Sequence, residues 1–166
     1  WQNQQEISRK VQNIRIEDLL ERQPIVLDKG SVSRQLEEKR VLVTGAAGSI
    51  GSELVRQILA FQPSEIILVD QAETPLHSLS LELAAQNHSV KVQVIIQDIR
   101  NYQAMERLFA TYQPHKVYHA AAYKHVPLME KYPDQAILVN VMGTKNLADL
   151  SYRYRVEKFV MVSTDK

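Results

Sequence analysis

Gly45, Gly48 and Gly51 recur at three-residue intervals within Thr44-Gly45-Ala46-Ala47-Gly48-Ser49-Ile50-Gly51. The apolar run Val41-Leu42-Val43 enters this turn and an apolar helical pattern leaves it. Such a turn suits a pyrophosphate. Glycines permit the tight bend and close backbone approach, and the anionic charge comes to rest at the N-terminus of the next helix. The candidate cofactor-binding residues here are Gly45, Gly48, Ser49, Ile50 and Gly51. The spacing is G-x-x-G-x-x-G, not the G-x-G-x-x-G of the commonest dinucleotide fingerprint, and a purely structural turn also uses glycines. Asp70 lies 25 residues beyond Gly45, after a second apolar run. A carboxylate there accepts from both hydroxyls of an adenosine ribose and repels a 2′-phosphate. No arginine or lysine lies between Asp70 and His88 to receive that phosphate, so NAD is expected in preference to NADP.

Three further groups follow. Asp98 and Ile99 end a third apolar run, where the carboxylate can accept from an adenine amino group and Ile99 can pack on the ring. A turn aspartate would also sit there. Ala120, Ala121 and Ala122 are small enough for backbone to approach a ribose and nicotinamide, and equally suit close packing. Lys124 stands among Tyr123 and His125 just past a strand's carboxyl end, where open α/β sheets bind ligands.

These residues need a scaffold of alternating strands and helices. From Arg40 onward, short apolar runs alternate with amphipathic stretches, the pattern of βαβ units and a parallel sheet. Strands are predicted at 40–44, 65–69, 91–96, 116–119 and 158–162. The first helix is expected over 49–61, with Ile50, Leu54, Ile58 and Leu59 inward and Pro63 closing it. Thr74 is read as the N-cap of the second, ahead of Pro75, with Leu76, Leu79 and Leu83 inward. Asn101 is read as the N-cap of the third, with Met105, Leu108 and Phe109 inward. A long helix is expected over 134–154. The fold class is therefore α/β, a doubly wound, Rossmann-like parallel sheet that stops after its fifth strand. Residues 40–166 form its nucleotide-binding domain and residues 1–39 an N-terminal linker segment. Within that linker, a short helix is expected over 14–22, an edge strand over 25–27 and a helix or turn over 33–39.

Composition narrows the function. Twenty basic against nineteen acidic side chains leave a net charge of +1, which offers no field for nucleic acid or anionic lipid. No apolar run approaches the roughly 20 residues that span a bilayer, so no direct membrane contact is expected from this segment. There is no cysteine, which excludes disulfides and thiolate chemistry and fits a reducing cytoplasm. The five histidines suggest no metal set; His115 and His119 flank the entry to a strand and share no helical face.

The glycine turn preceded by Thr44 resembles the T-G-x-x-G-x-x-G of the short-chain dehydrogenase/reductase superfamily. The runs TGAAGSIGSEL (Thr44 to Leu54), AAYKHVPLME with its preceding alanine (Ala120 to Glu130), NVMGTKNL (Asn140 to Leu147) and STDK (Ser163 to Lys166) narrow that likeness. Together, and in that order, they resemble the bacterial polysaccharide-biosynthesis nucleotide-sugar 4,6-dehydratases. IRIEDLL (Ile14 to Leu20) is similar to the linker before the catalytic domain in their large, membrane-anchored members, which commonly carry Gly where this chain has Glu21.

The resemblance implies a redox-neutral dehydration of a UDP-N-acetyl amino sugar. NAD takes hydride from C4, the C5 proton is removed, water leaves from C6, and the hydride returns to C6. It places Thr164 against the C4 oxygen, Asp165 as the acid for the C6 hydroxyl and Lys166 as the base at C5. Asn140 matches a helix asparagine that helps organise the active site, a residue that could equally bind backbone. A neighbouring Asp and Lys in a desolvated pocket can hold one acid and one base near neutral pH. The superfamily's Tyr-x-x-x-Lys, or Met-x-x-x-Lys, would follow the Thr164 strand. Tyr112-x-x-x-Lys116 and Tyr154-x-x-x-Lys158 both precede it and are decoys. The sequence thus reads as a fragment, itself inactive and binding NAD weakly or not at all, with a homo-oligomer expected for the complete protein. Two alternatives remain open at this stage: a UDP-sugar C4 or C5 epimerase of the same superfamily, and a non-catalytic NAD-binding module.

Overall fold

Five parallel strands make one sheet: β1 (Arg40–Thr44), β2 (Glu65–Asp70), β3 (Lys91–Ile96), β4 (Lys116–His119) and β5 (Lys158–Met161), in the order β3-β2-β1-β4-β5. The computed structural model describes residues 28–163 apart from Asn87. The expectations over 14–22 and 25–27, and those on Thr164, Asp165 and Lys166, lie outside the described residues. Strand β1 is central because it is apolar on both faces: Val41, Leu42 and Val43 are all fully buried. The chain steps outward from β1 to β2 to β3, then returns across β1 to β4. The carboxyl ends of β1 and β4 therefore flank a topological switch point, where open α/β sheets hold ligands.

Two cores sandwich the sheet. On one side α1 (Lys29–Leu36), α2 (Ser49–Leu59) and α3 (Glu73–Ala84) bury Leu36, Val55, Ile58, Leu76 and Leu79 against Val41, Val43, Ile66 and Leu68. On the other, α4 (Tyr102–Tyr112) and a longer helix bury Met105, Phe109, Leu147 and Leu150 against Leu42, Ile67 and Val117. That longer helix is continuous from Pro133 to Arg153 but not uniform. It comprises α6 (Pro133–Ala136), a π-helical segment (Ile137–Gly143) and α7 (Thr144–Arg153), with helical dihedrals at both junctions. A short α5 (Val126–Lys131) precedes it.

The strands lie where the apolar runs place them. Asn101 caps α4 as expected, its side chain accepting from the Ala104 N–H at 3.0 Å. Two expectations are corrected. Thr74 is inside α3, not its cap; Ala72 holds that position, and its N–H donates instead to Asp70 Oδ1. The buried face of α2 is Gly51, Val55, Ile58 and Leu59, which leaves Ile50 52% exposed. The helix rotates because Gly51 must face the turn: a Cβ there would lie 1.9 Å from the Gly45 carbonyl oxygen. The long helix expected over 134–154 is present from Pro133 to Arg153; the π segment within it and α5 were not anticipated.

Candidate functional site

The sheet's carboxyl edge opens into a cleft of about 310 Å³ at the switch point. Gly45 and Gly48 line it, with Asp70, Asp98, Ile99 and Ala120 to Ala122. All eight were legible as candidates from the sequence. Gly45 takes φ +70°, and a Cβ on it would sit 2.5 Å from the Ala121 nitrogen, so strand-end backbone packs directly against the turn. The N-cap of α2, Gly48, makes no side-chain hydrogen bond, which leaves the first-turn N–H groups and the positive helix end available to an anion. Ser49, Ile50 and Gly51 form that first turn; they do not line the cleft itself.

Asp70 ties the turn to β2. Its Oδ2 accepts from the Ala47 N–H and its Oδ1 from the Ala72 N–H, both at 2.9 Å. Asp70 lines the cleft, and each carboxylate oxygen keeps capacity to accept from a further hydroxyl donor. Asp98 accepts from the Arg100 backbone N–H at 2.8 Å and pairs with its guanidinium at 2.6 Å. Burial pushes its carboxyl up, but the Arg100 side-chain and backbone bonds together outweigh this and hold it below the usual carboxylate range.

The π segment supports the opposite wall. Val139 lines the cleft, and Asn140 grips the Tyr123 backbone twice: Tyr123 N–H donates to Oδ1, and Nδ2 donates to Tyr123 C=O, both at 2.8 Å. Both groups of the asparagine amide are thus bonded to the backbone of Tyr123 at the cleft wall. One turn on, a Cβ at Gly143 would approach Ile99 Cδ1 to 2.6 Å, and Asn146 Nδ2 donates to the carbonyls of Ile99 and Arg100 at 3.1 Å. Short π turns of this kind concentrate at functional sites.

Tyr123 stands between the cleft and a second cavity of about 440 Å³ that also contains His125, Leu128 and Tyr132. Its hydroxyl accepts from Gln71 Nε2 at 3.3 Å, linking the end of β4 to the end of β2. Lys124, a candidate for the cofactor cleft, lines the second cavity instead, because the Asn140 clamp fixes residue 123 as the partition between the two. Sequence reasoning missed Gln71 and Val139, and named Tyr123 only as a neighbour of Lys124. It also missed His119, which is 3% exposed and bridges two threonines, with Nδ1 2.8 Å from Thr44 Oγ1 and Nε2 2.8 Å from Thr144 Oγ1. Burial drives its pKa down to about 4. Thr44 and His119 are direct partners across the β1–β4 ladder, a pairing that shows only once the strands are in register.

The Tyr-x-x-x-Lys pairs lie at the far edge of the sheet. Lys116 and Lys158 begin β4 and β5, Tyr112 ends α4, and Tyr154 caps α7. Among the described residues no group of three or more His, Asp or Glu side chains could hold a metal ion, and no helix is long and apolar enough to cross a membrane.

Residues 41–166 match the family model described as polysaccharide biosynthesis protein. The chain is 46% identical over 158 residues to the probable polysaccharide biosynthesis protein EpsC of Bacillus subtilis, covering 95% of this chain and 26% of that protein. It is 44% identical over 157 residues to the capsular polysaccharide biosynthesis protein CapD of Staphylococcus aureus, covering 94% and 26%. It thus spans about a quarter of the length of these curated relatives. Among solved structures, the UDP-glucose 4-epimerase of Thermus thermophilus in complex with NAD superposes with a TM-score of 0.63 at 32% identity, covering 75% of this chain and 37% of that one. The glycine turn, the switch-point cleft and the matched residues together place this chain in the polysaccharide biosynthesis protein family.

Proposed function

We propose that the chain is the NAD-binding part of a longer enzyme that acts on UDP-N-acetyl amino sugars as a 4,6-dehydratase. The observation that carries the cofactor assignment is the cradle itself. Gly45 and Gly51 each pack where a Cβ would collide with backbone, the α2 N-terminus has no side-chain cap, and Asp70 stands beside the turn. These residues fit a dinucleotide. The turn and α2 N-terminus receive its pyrophosphate, Asp70 accepts from the adenosine ribose hydroxyls, and Ile99 with Asp98 flanks the adenine. The Thermus thermophilus epimerase, solved with NAD, supports the same cofactor here.

When bound, NAD supplies a reversible hydride acceptor. On this reading Thr164 hydrogen-bonds the sugar C4 oxygen, Lys166 takes the C5 proton and Asp165 gives a proton to the departing C6 hydroxyl. The STDK run supports those roles by its resemblance to the dehydratases. The second cavity, with Lys124 and His125 adjoining the cleft across Tyr123, offers room for a sugar nucleotide. A UDP-sugar 4-epimerase is the second reading, favoured by the similarity to the NAD-bound epimerase.

Proton NMR of UDP-N-acetylglucosamine incubated with NAD and the full-length protein carrying this sequence separates the two. A new high-field methyl doublet establishes a 6-deoxy-4-keto product and the dehydratase. An altered sugar without that methyl establishes the epimerase. An unchanged spectrum overturns the assignment for this substrate.

A further inference from the structure

We propose that His119 is a positioning residue that sets the width of the dinucleotide cleft by coupling its two walls; as a claim about that cleft it rests on the cofactor reading above. One wall is the glycine turn, which begins immediately after Thr44. The other is carried by the π segment, which ends immediately before Thr144. The His119 ring lies between these two threonines, 2.8 Å from each hydroxyl, and against Phe159 at 6.2 Å between ring centroids.

The need for such a bridge follows from how the walls are otherwise held. Ladder pairing fixes β4 to β1, including the Ala120 N–H to Thr44 C=O bond at 2.9 Å. No ladder reaches the long helix, which leans on the sheet through Val139, Leu147 and Leu150. Asn140 and Asn146 tie it to the loops after β4 and β3, but its apolar contacts with the strands themselves are non-directional. A hydrogen bond is directional and specifies distance to a few tenths of an ångström. Thr144 stands one turn from Asn140, which grips Tyr123, and beside Gly143, which abuts Ile99. Fixing Thr144 therefore fixes the Tyr123 partition and the Ile99 wall relative to Gly45.

Chemistry favours a neutral imidazole in this place. A neutral ring has one N–H donor and one acceptor nitrogen, and a threonine hydroxyl can serve as either partner, so both contacts are satisfied in either tautomer. Phenylalanine would preserve the ring packing and lose both bonds. Valine for either threonine would preserve the branched shape and lose one.

The test compares His119→Phe, Thr44→Val, Thr144→Val, the double threonine variant, and Thr44→Ser with Thr144→Ser. Amide hydrogen exchange is measured on the ligand-free protein and NAD affinity by titration calorimetry. Exchange is expected to accelerate in both walls, residues 45–48 and 139–144, in each Val variant and in His119→Phe. NAD affinity is expected to fall about tenfold. The double threonine variant should lose no more than His119→Phe, since all break one bridge, and the Ser variants should behave as the parent. Acceleration confined to the substituted wall, additive losses, or Ser variants that resemble Val would overturn the coupling and leave His119 as core packing. Because exchange needs no ligand, it decides the coupling even if the parent protein binds no NAD, an outcome that defeats only the cofactor reading. Thr44→Val and Thr144→Val keep the question answerable should His119→Phe fail to fold.

Discussion

Two residues at the turn make opposite demands on a substituting side chain. Gly51→Ala puts a methyl 1.9 Å from the Gly45 carbonyl oxygen, a backbone atom that cannot swing aside. The turn must open, and we expect a loss of about 3 kcal/mol in urea unfolding. Asp70→Asn changes little in shape, but one of its two backbone acceptors becomes a donor facing the Ala47 or Ala72 N–H, and the negative charge is gone. NAD affinity should fall about tenfold, near 1.4 kcal/mol, and discrimination against NADP should narrow when the two are titrated in parallel. Both positions were legible because their chemistry is local: a glycine spacing and an acid at a strand end. His119 was not, because its meaning depends on Thr144, 25 residues away and on another element.

At the level of elements, the strands and the extent of the long helix were legible; α5 and the π segment within that helix were not. Continuous runs such as Val41 to Val43 have only one way to be buried on both faces. Helix α5 buries no residue and so offers no periodicity to read. The π segment arises from demands made by its neighbours: Asn140 must reach the Tyr123 backbone while Gly143 clears Ile99. Helical periodicity placed Ile50 inward, and the steric demand of Gly51 turned it out. Asn140→Leu keeps the volume and removes both bonds to Tyr123. It should cost about 1–2 kcal/mol in urea unfolding and accelerate amide exchange at Tyr123 beyond that of neighbouring residues.

Across the whole molecule, the two edges of the sheet divide the work. The carboxyl edge carries the cleft, whereas the opposite edge is laced by ion pairs, with Glu157 accepting from Lys39 and Lys116 at 2.8 Å each. The Lys116 and Lys39 hydrogen bonds hold the Glu157 carboxyl down at about 2, below its ordinary 4.5. Its folded-state value is depressed, so its contribution is present above pH 4.5 and fades as pH falls toward 2. Glu157 is 41% exposed, so solvent screening keeps this to less than about 1 kcal/mol. Glu157→Gln should therefore lower urea midpoints at pH 7 and match the parent near pH 2. His119 acts in a different window. Its buried ring stays neutral down to about pH 4, while the unfolded ring takes a proton near 6.5. Stability should drop by about 3 kcal/mol as pH falls through that interval, and His119→Phe should remove this share of the slope.

The separation of the edges also makes this a convenient molecule to handle. Because the sequence has no cysteine, a single introduced thiol would be chemically unique. Glu37, exposed at the end of α1 three residues before β1, lies at the ion-paired edge with no side-chain partner of its own among the described residues. A dye or surface tether attached through Glu37→Cys would hold the protein by its inert side and leave the cleft facing solution. Immobilised binding kinetics could then be recorded without the attachment chemistry obstructing the mouth of the site.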